Sequence, residues 1–198
     1  MTVSIENIIR EFLNEVRTQQ KSEFNRGMEH RIYASKYNPD RLFKVGDEGV
    51  LHWVEVFRSN PNIFAKVFRT GKINDVKKGG TYYAEIEKLQ TDRVIKEWEQ
   101  IEEKLEEIGI IDSEDGAFGR DITDIYTNHG HDQKTISEIA KRLNEYDKDT
   151  YNIFIKYFKL FKDCEKAIEK VVGHETLVDA HRYNFGYSSD GKLKCLDI

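Results

Sequence analysis

LVDAHRYNFGYSSDGKLKCLDI, residues 177–198, is the stretch from which the rest of the chain is read. Asp190-Gly191 is tight-turn chemistry set between Phe185-Gly-Tyr187 and Lys192-Leu-Lys-Cys-Leu196, a pattern that predicts a β-hairpin. Asp179 and Asn184 stand just before its first strand, and Asp197 stands at the end of its second. Folding the hairpin brings all three towards one end. Two carboxylates and an amide oxygen can hold Mg²⁺, a hard cation that prefers oxygen and keeps waters or phosphates in its other positions.

Upstream of this hairpin the pattern turns helical. Asp149 or Thr150 opens a long helix carrying Tyr151, Phe154, Ile155, Phe158, Phe161 and Ile168, hydrophobic enough to be the centre of its layer. Thr135-Ile-Ser-Glu138 reads as a capping box ahead of Ile136, Ile139, Ala140 and Leu143. Residues 112–130, with Gly116, Gly119 and Gly130, read as a loop. Residues 91–108 are predicted helical, with Val94, Ile95, Trp98, Ile101 and Leu105 as the apolar stripe and the dense Glu and Lys run as a solvated face. Trp53 and Trp98 are core or interface candidates.

The first ninety residues have a different texture. Ile5, Ile8, Ile9, Phe12, Leu13 and Val16 recur at helical spacing behind Ser4 as a cap, so residues 5–20 are predicted to form an amphipathic helix. His30-Arg-Ile-Tyr-Ala-Ser35 and Arg41-Leu-Phe-Lys-Val-Gly46 are β-like and flank the turn chemistry of Asn38-Pro-Asp40. Asp47 is placed to cap a helix that runs to Ser59, with Val50, Leu51, Val54 and Phe57 on one side, and Asn60-Pro-Asn62 ends it. A second strand pair is expected over residues 63–69 and 82–87.

Composition limits what such a chain can do. Its 31 Lys and Arg against 36 Asp and Glu give a net charge of -5, which argues against a nucleic-acid partner held by phosphate neutralisation. Aromatic residues make up 12% of the chain, enough to build a core despite 34% charge. Cys164 and Cys195 show no zinc spacing and read as reduced, buried thiols. Asn128-His-Gly-His131-Asp132 lacks the further ligands zinc requires. The segment 135–143 resembles the first helix of a helix-turn-helix, but the Phe-rich helix after it has no basic reading face. Glu6, Arg10, Glu11 and Glu15 interrupt the first apolar stretch, so neither a secretory signal nor a membrane span is expected there. A cytoplasmic location, host cytoplasm for a viral chain, is the expectation.

The spacing of Asp179, Asn184 and Asp197 resembles the protein-kinase-like superfamily, whose catalytic loop has an Asp followed five residues later by Asn and whose next strand pair ends in a metal-binding Asp. The run Asp179-Ala-His181-Arg-Tyr-Asn184 is similar to the Asp-x-His-x-x-Asn form of bacterial and phage kinase-like proteins. The resemblance implies that Asp179 accepts the proton of an attacking hydroxyl, that Asn184 and Asp197 hold Mg²⁺ on ATP, and that His181 orders the loop. It extends upstream. Arg41-Leu-Phe-Lys44 resembles the third kinase strand with its phosphate-binding Lys, residues 47–59 the following helix, and Asn60-Pro-Asn-Ile63 the turn into the fourth strand. Tyr83-Ala-Glu-Ile-Glu-Lys-Leu89 resembles the fifth strand and the hinge, which implies Ile86 beside adenine and the backbones of Glu87 and Leu89 on the base. Lys44 would pair with Glu55 or with Glu48, seven residues earlier on the same face, Glu55 being the one inside the helix.

Three departures stand beside these matches. The glycine-rich loop is reduced to Gly27, Leu177 stands where a His or Tyr is usual, and one residue follows Asp197, so the family's Phe-Gly, activation segment and later helices are not expected. The reading is thus one α+β kinase-like domain over residues 1–198. It comprises an N-terminal helix (1–23), a small antiparallel N-lobe with an αC-like helix (24–90) and a reduced helical C-lobe (91–198) ending in the hairpin. Its expected function is ATP- and Mg²⁺-dependent phosphotransfer to a hydroxyl of a protein or small molecule. The alternative is a pseudokinase-type interaction or structural protein, of virion type in a phage, that acts through a protein partner.

Overall fold

The computed structural model describes residues 30–35, 38–46, 49–73, 81–111, 121–130, 132–174 and 178–197. The N-terminal helix expected over residues 5–20, Gly27, Asp47, Glu48, His131 and Leu177 lie outside the described residues. The fold is α+β and divides into two compact units. The first comprises the described residues through Arg58 together with Lys66–Lys88; the second comprises Ser59–Ala65 and Leu89–Ile198.

The first unit is a four-stranded antiparallel sheet, β1 (His30–Ala34), β2 (Arg41–Gly46), β3 (Val67–Ile73) and β4 (Thr81–Glu87), in the order β1-β2-β4-β3. Helix α1 (Gly49–Ser59) lies between β2 and β3 in sequence. The two expected strand pairs form, and β2 also pairs with β4, so β2 and β4 are the inner strands. Phe43, Lys44 and Val45, and likewise Tyr83, Ala84, Glu85 and Ile86, are buried in succession rather than alternately, so both faces of these inner strands are covered. Strand β3 begins later than expected. Residues 61–63 form a turn, and the apolar Ile63-Phe64-Ala65 run belongs instead to the second unit.

Five elements shape the second unit: α2 (Asp92–Glu107), α3 (Ile122–His129), α4 (Gln133–Tyr146), α5 (Lys148–Val172) and the hairpin β5 (Phe185–Tyr187) with β6 (Leu193–Cys195). Helix α5 supplies the core expected of it, burying Phe154, Tyr157, Phe158, Leu160, Phe161, Cys164 and Ile168. Its rings meet Trp98 of α2 and Phe185 of β5, with Tyr157 edge-on to Trp98 at 5.9 Å and Phe161 5.1 Å from Phe185. Phe64 and Ala65 join β6: Ala65 N–H donates to the Cys195 carbonyl and Cys195 N–H to the Ile63 carbonyl, both at 2.8 Å. The boundary expected after residue 90 therefore falls after Lys88, and residues 59–65 sit with the helices.

Capping differs from expectation at three helices. Helix α3 occupies part of the expected loop, because Asp121 accepts the Asp124 N–H at 2.8 Å and Ile122, Ile125 and Tyr126 form a short buried stripe. Helix α4 starts at Gln133 with Asp132, not Thr135, as its cap, the Asp132 side chain accepting from Lys134 and Thr135. Asp147 caps α5, two or three residues before the expected Asp149 or Thr150. Among the described residues no helix is long and apolar enough to cross a membrane.

Candidate functional site

The segment between α5 and β5 is built by backbone bonds of its own. His181 N–H donates to the Asp179 carbonyl and Asn184 N–H to the His181 carbonyl, each at 2.8 Å, and Arg182–Asn184 form one turn of 3-10 helix leading into β5. Val178 and Ala180 are buried while Asp179 and His181 between and beside them are exposed, so alternate residues anchor the loop and present its polar groups. The Ala180 carbonyl accepts from the Thr123 hydroxyl of α3 at 3.0 Å. Arg182 reaches back to the Glu102 carboxylate of α2 at 3.1 Å. Burial keeps the Glu102 carboxyl above its ordinary value even with Arg182 beside it.

Asp179 and Asn184 are brought together. The Asn184 amide nitrogen donates to the Asp179 carboxylate at 2.9 Å and to the Asp179 carbonyl at 3.1 Å, which leaves the Asn184 side-chain oxygen as the end able to face a cation. The hairpin brings Asp197 close. Phe185 pairs with Cys195, and the next bond, Leu196 N–H to the Asn184 carbonyl at 2.6 Å, puts Asp197 one residue beyond a position bonded directly to Asn184. The His181 ring lies 5.1 Å from that of Tyr183, which is 58% exposed. Among the described residues no group of three or more His, Cys, Asp or Glu side chains could hold a metal ion.

Two glycines set the hairpin's course. Gly191 takes a left-handed φ of 78° in the turn, where its N–H donates to the Ser188 carbonyl at 2.9 Å. Gly186 sits so close to the chain at Leu89 that an added Cβ would lie 2.4 Å from the Leu89 Cβ. That approach lets Tyr187 and Gln90 exchange both backbone bonds, at 2.8 and 2.9 Å.

Within the first unit, Lys44 is 5% exposed and sits across from Ala84, with Leu42 and Ile86 paired on the same face. Lys44 and Ile86, the residues expected to meet phosphate and adenine, thus share one face of the sheet. Glu55 is exposed on α1, and among the described residues no ion pair joins it to Lys44. The opposite face carries Glu85, 2% exposed, held by Arg41 at 3.0 Å and by Arg69. The Glu87 N–H donates to the Lys66 carbonyl at 2.8 Å and so is already engaged within the sheet. In the second unit the Leu89 side chain is buried.

A buried polar cluster of the second unit was not expected from the sequence. Glu97, in the charge run read as a solvated face, is buried and accepts from the hydroxyls of Tyr157 at 2.8 Å and Tyr187 at 2.7 Å, from Lys156 at 2.9 Å and from Arg93 at 3.1 Å. Burial pushes its carboxyl up, but the bonds from Lys156, Tyr187 and Tyr157 outweigh burial and hold it below the ordinary value. Burial and the Glu97 charge raise both tyrosines. The one sequence signal was its place: Glu97 lies directly before Trp98 on the apolar stripe of α2. The chain matches no family model, no curated protein and no solved structure.

Proposed function

We propose that this chain is an ATP- and Mg²⁺-dependent phosphotransferase of protein-kinase-like type, which transfers a phosphoryl group to a hydroxyl of a protein or small molecule. The observation that carries this reading is the bond from the Asn184 amide to the Asp179 carboxylate, with the hairpin ladder drawing Asp197 next to Asn184. Asp179 is exposed and orientated by two bonds from one amide, as a base must be to meet an incoming hydroxyl. The Asn184 oxygen and the Asp197 carboxylate are hard donors, and so small a protein ligand set suits a cation that keeps waters and phosphate oxygens. Bound Mg²⁺ would neutralise charge on the transferring phosphoryl group. Lys44, on the same sheet face as Ile86, is the phosphate-binding candidate of the first unit, with the Glu87 backbone as its base-contact candidate.

A second reading is an interaction module without catalysis, which the reduction of the glycine-rich loop to Gly27 in the sequence favours. Thermal unfolding of the wild type and of Asp197→Ala, with and without Mg²⁺ and ATP, separates the two, because a ligand that binds only the folded state raises the melting temperature. A metal-dependent rise that disappears in Asp197→Ala is the expected result. No rise in the wild type at millimolar ATP favours the interaction module and turns the search to protein partners.

A further inference from the structure

Strand β3 ends the sheet of the first unit on one side, and among the described residues no strand lies beyond it. Its register with β4 pairs Arg69 with Glu85 and Gly71 with Tyr83, and the Glu87 N–H bonds the Lys66 carbonyl at 2.8 Å. Backbone bonds alternate along such a ladder, so Thr70 and Lys72 turn their N–H and C=O groups away from β4. Past the irregularity between Val67 and Arg69 the register is unbroken to Ile73. This stretch is a template for one more strand.

Cations flank this edge on both faces of the sheet. On the face of Glu85 stands Arg69, and Arg41, which also bonds Glu85, lies 3.8 Å over the ring of Phe68, with Lys66 5.3 Å from the same ring. On the other face Lys72 sits 5.3 Å over the Tyr82 ring, and Arg58 of α1 reaches the Thr70 hydroxyl at 3.4 Å. Lys66, Phe68 and Lys72 are exposed. These cations outnumber the carboxylates of β4 beside them, Glu85 and Glu87, although the whole chain carries -5.

We propose that β3 is a docking edge for an acidic, extended peptide segment of another protein, which adds to the sheet as a further antiparallel or parallel strand. This inference does not depend on the phosphotransferase reading. The outward backbone groups of Thr70 and Lys72 supply the hydrogen bonds, the cations on both faces select the sign of charge, and Phe68 offers an apolar contact at one end. Lysines and a bulge on an edge also hold two copies of a chain apart. A strand of opposite charge turns that repulsion into attraction. A phosphate polymer carries the same charge but no row of donors and acceptors at strand spacing, so the edge fits a peptide better.

The full chain is titrated against a dye-labelled, acetylated peptide of about six residues in which Glu alternates with Val, and binding is read by fluorescence anisotropy. The expected result is saturable binding below about 1 mM that weakens with salt, and none by the counterpart in which Lys replaces Glu. Lys66→Glu combined with Lys72→Glu should weaken binding by about tenfold or more. Thr70→Pro removes an outward N–H and spares the β4 ladder, so a loss of roughly three- to tenfold is expected at an unchanged melting temperature. If that variant does not fold, the Glu peptide with every amide methylated takes its place and should not bind the wild type. The proposal is overturned if the Glu peptide does not bind, if the Lys peptide or the methylated peptide binds as well, or if the charge reversals or a folded Thr70→Pro leave binding intact. A dimer by sedimentation that excludes the peptide, or tighter binding of a uridine oligonucleotide of equal length, gives the edge to another occupant and overturns it too.

Discussion

The hydroxyl of Tyr187 lies 2.9 and 2.7 Å from the two carboxylate oxygens of Glu97, ninety residues away in sequence. Glu97 belongs to α2 and Tyr187 to β5, so this contact fastens the hairpin strand that leaves Asn184 to the helical layer of its unit. Tyr187→Phe removes the hydroxyl that donates to Glu97 and accepts from Lys156, and leaves Glu97 the bonds from Tyr157, Lys156 and Arg93, so a loss of about 1.5–3 kcal/mol is expected. Glu97→Ala strands two buried hydroxyls and a lysine, and about 3–5 kcal/mol is expected. Urea unfolding curves of both variants check the order.

Acid should loosen the second unit through the same carboxylate. The folded state holds Glu97 below its ordinary 4.5, so it binds its proton less readily than the unfolded chain does. The stabilisation is therefore complete above that value and is lost as the pH falls through the folded one. Asp190, held down to about 2 by Ser188 and Lys192, has the same sign. Unfolding midpoints measured from neutral pH to about pH 3 should fall, and Glu97→Gln should flatten part of that slope.

Gly186→Ala is expected to destabilise the second unit by roughly 1–3 kcal/mol, because backbone and side chain of Leu89 and the Gln90 carbonyl fill the space a methyl group would need. Gly191→Ala meets nothing within 4 Å and costs only the strain of its φ of 78°, about 1 kcal/mol. Melting temperatures of the two variants should separate accordingly.

How much of this was legible in the sequence follows from the range of each interaction. The closing hairpin was, because Asp190-Gly191 and its flanks are local chemistry, and it closes within two residues of the expected strand bounds. Helix α3 was not, because eight residues flanked by glycines carry too short a periodicity to outweigh them. Ile63-Phe64-Ala65 reads as a strand start on its own apolar character, and only pairing with distant Cys195 removes it from the sheet. The burial of Glu97 could not be read, since a buried glutamate and a solvated one look alike in a charge run until the tyrosines that meet it are placed. In the candidate site the Asp179 and Asn184 juxtaposition follows from spacing. The partner of Lys44 does not, because two glutamates seven residues apart present the same helix face.

The first unit offers an independent check. Glu85 is almost wholly buried between Arg41 and Arg69, so Glu85→Ala leaves two guanidinium groups facing an emptied site. A loss of about 3–5 kcal/mol is expected, whereas either arginine replaced alone should cost less because the other remains. Amide hydrogen exchange of β2 and β4 reads the effect locally.

Asp179→Ala should leave the nucleotide-dependent melting shift in place and lower phosphoryl transfer by about 10²–10⁴-fold, the contribution of a positioned base. Full transfer activity in that variant would remove Asp179 from the mechanism.

Ile63 and Ala65, on either side of Phe64, lie early in the chain, yet the residue they bond is Cys195. During synthesis the ribosome releases this apolar turn long before its partner strand exists, and the sheet strands on either side of it can pair first. The late-made hairpin must then capture a segment already tethered at both ends. The second unit therefore finishes folding only when its final strand is free of the exit tunnel, and until then a chaperone would find Phe64 uncovered.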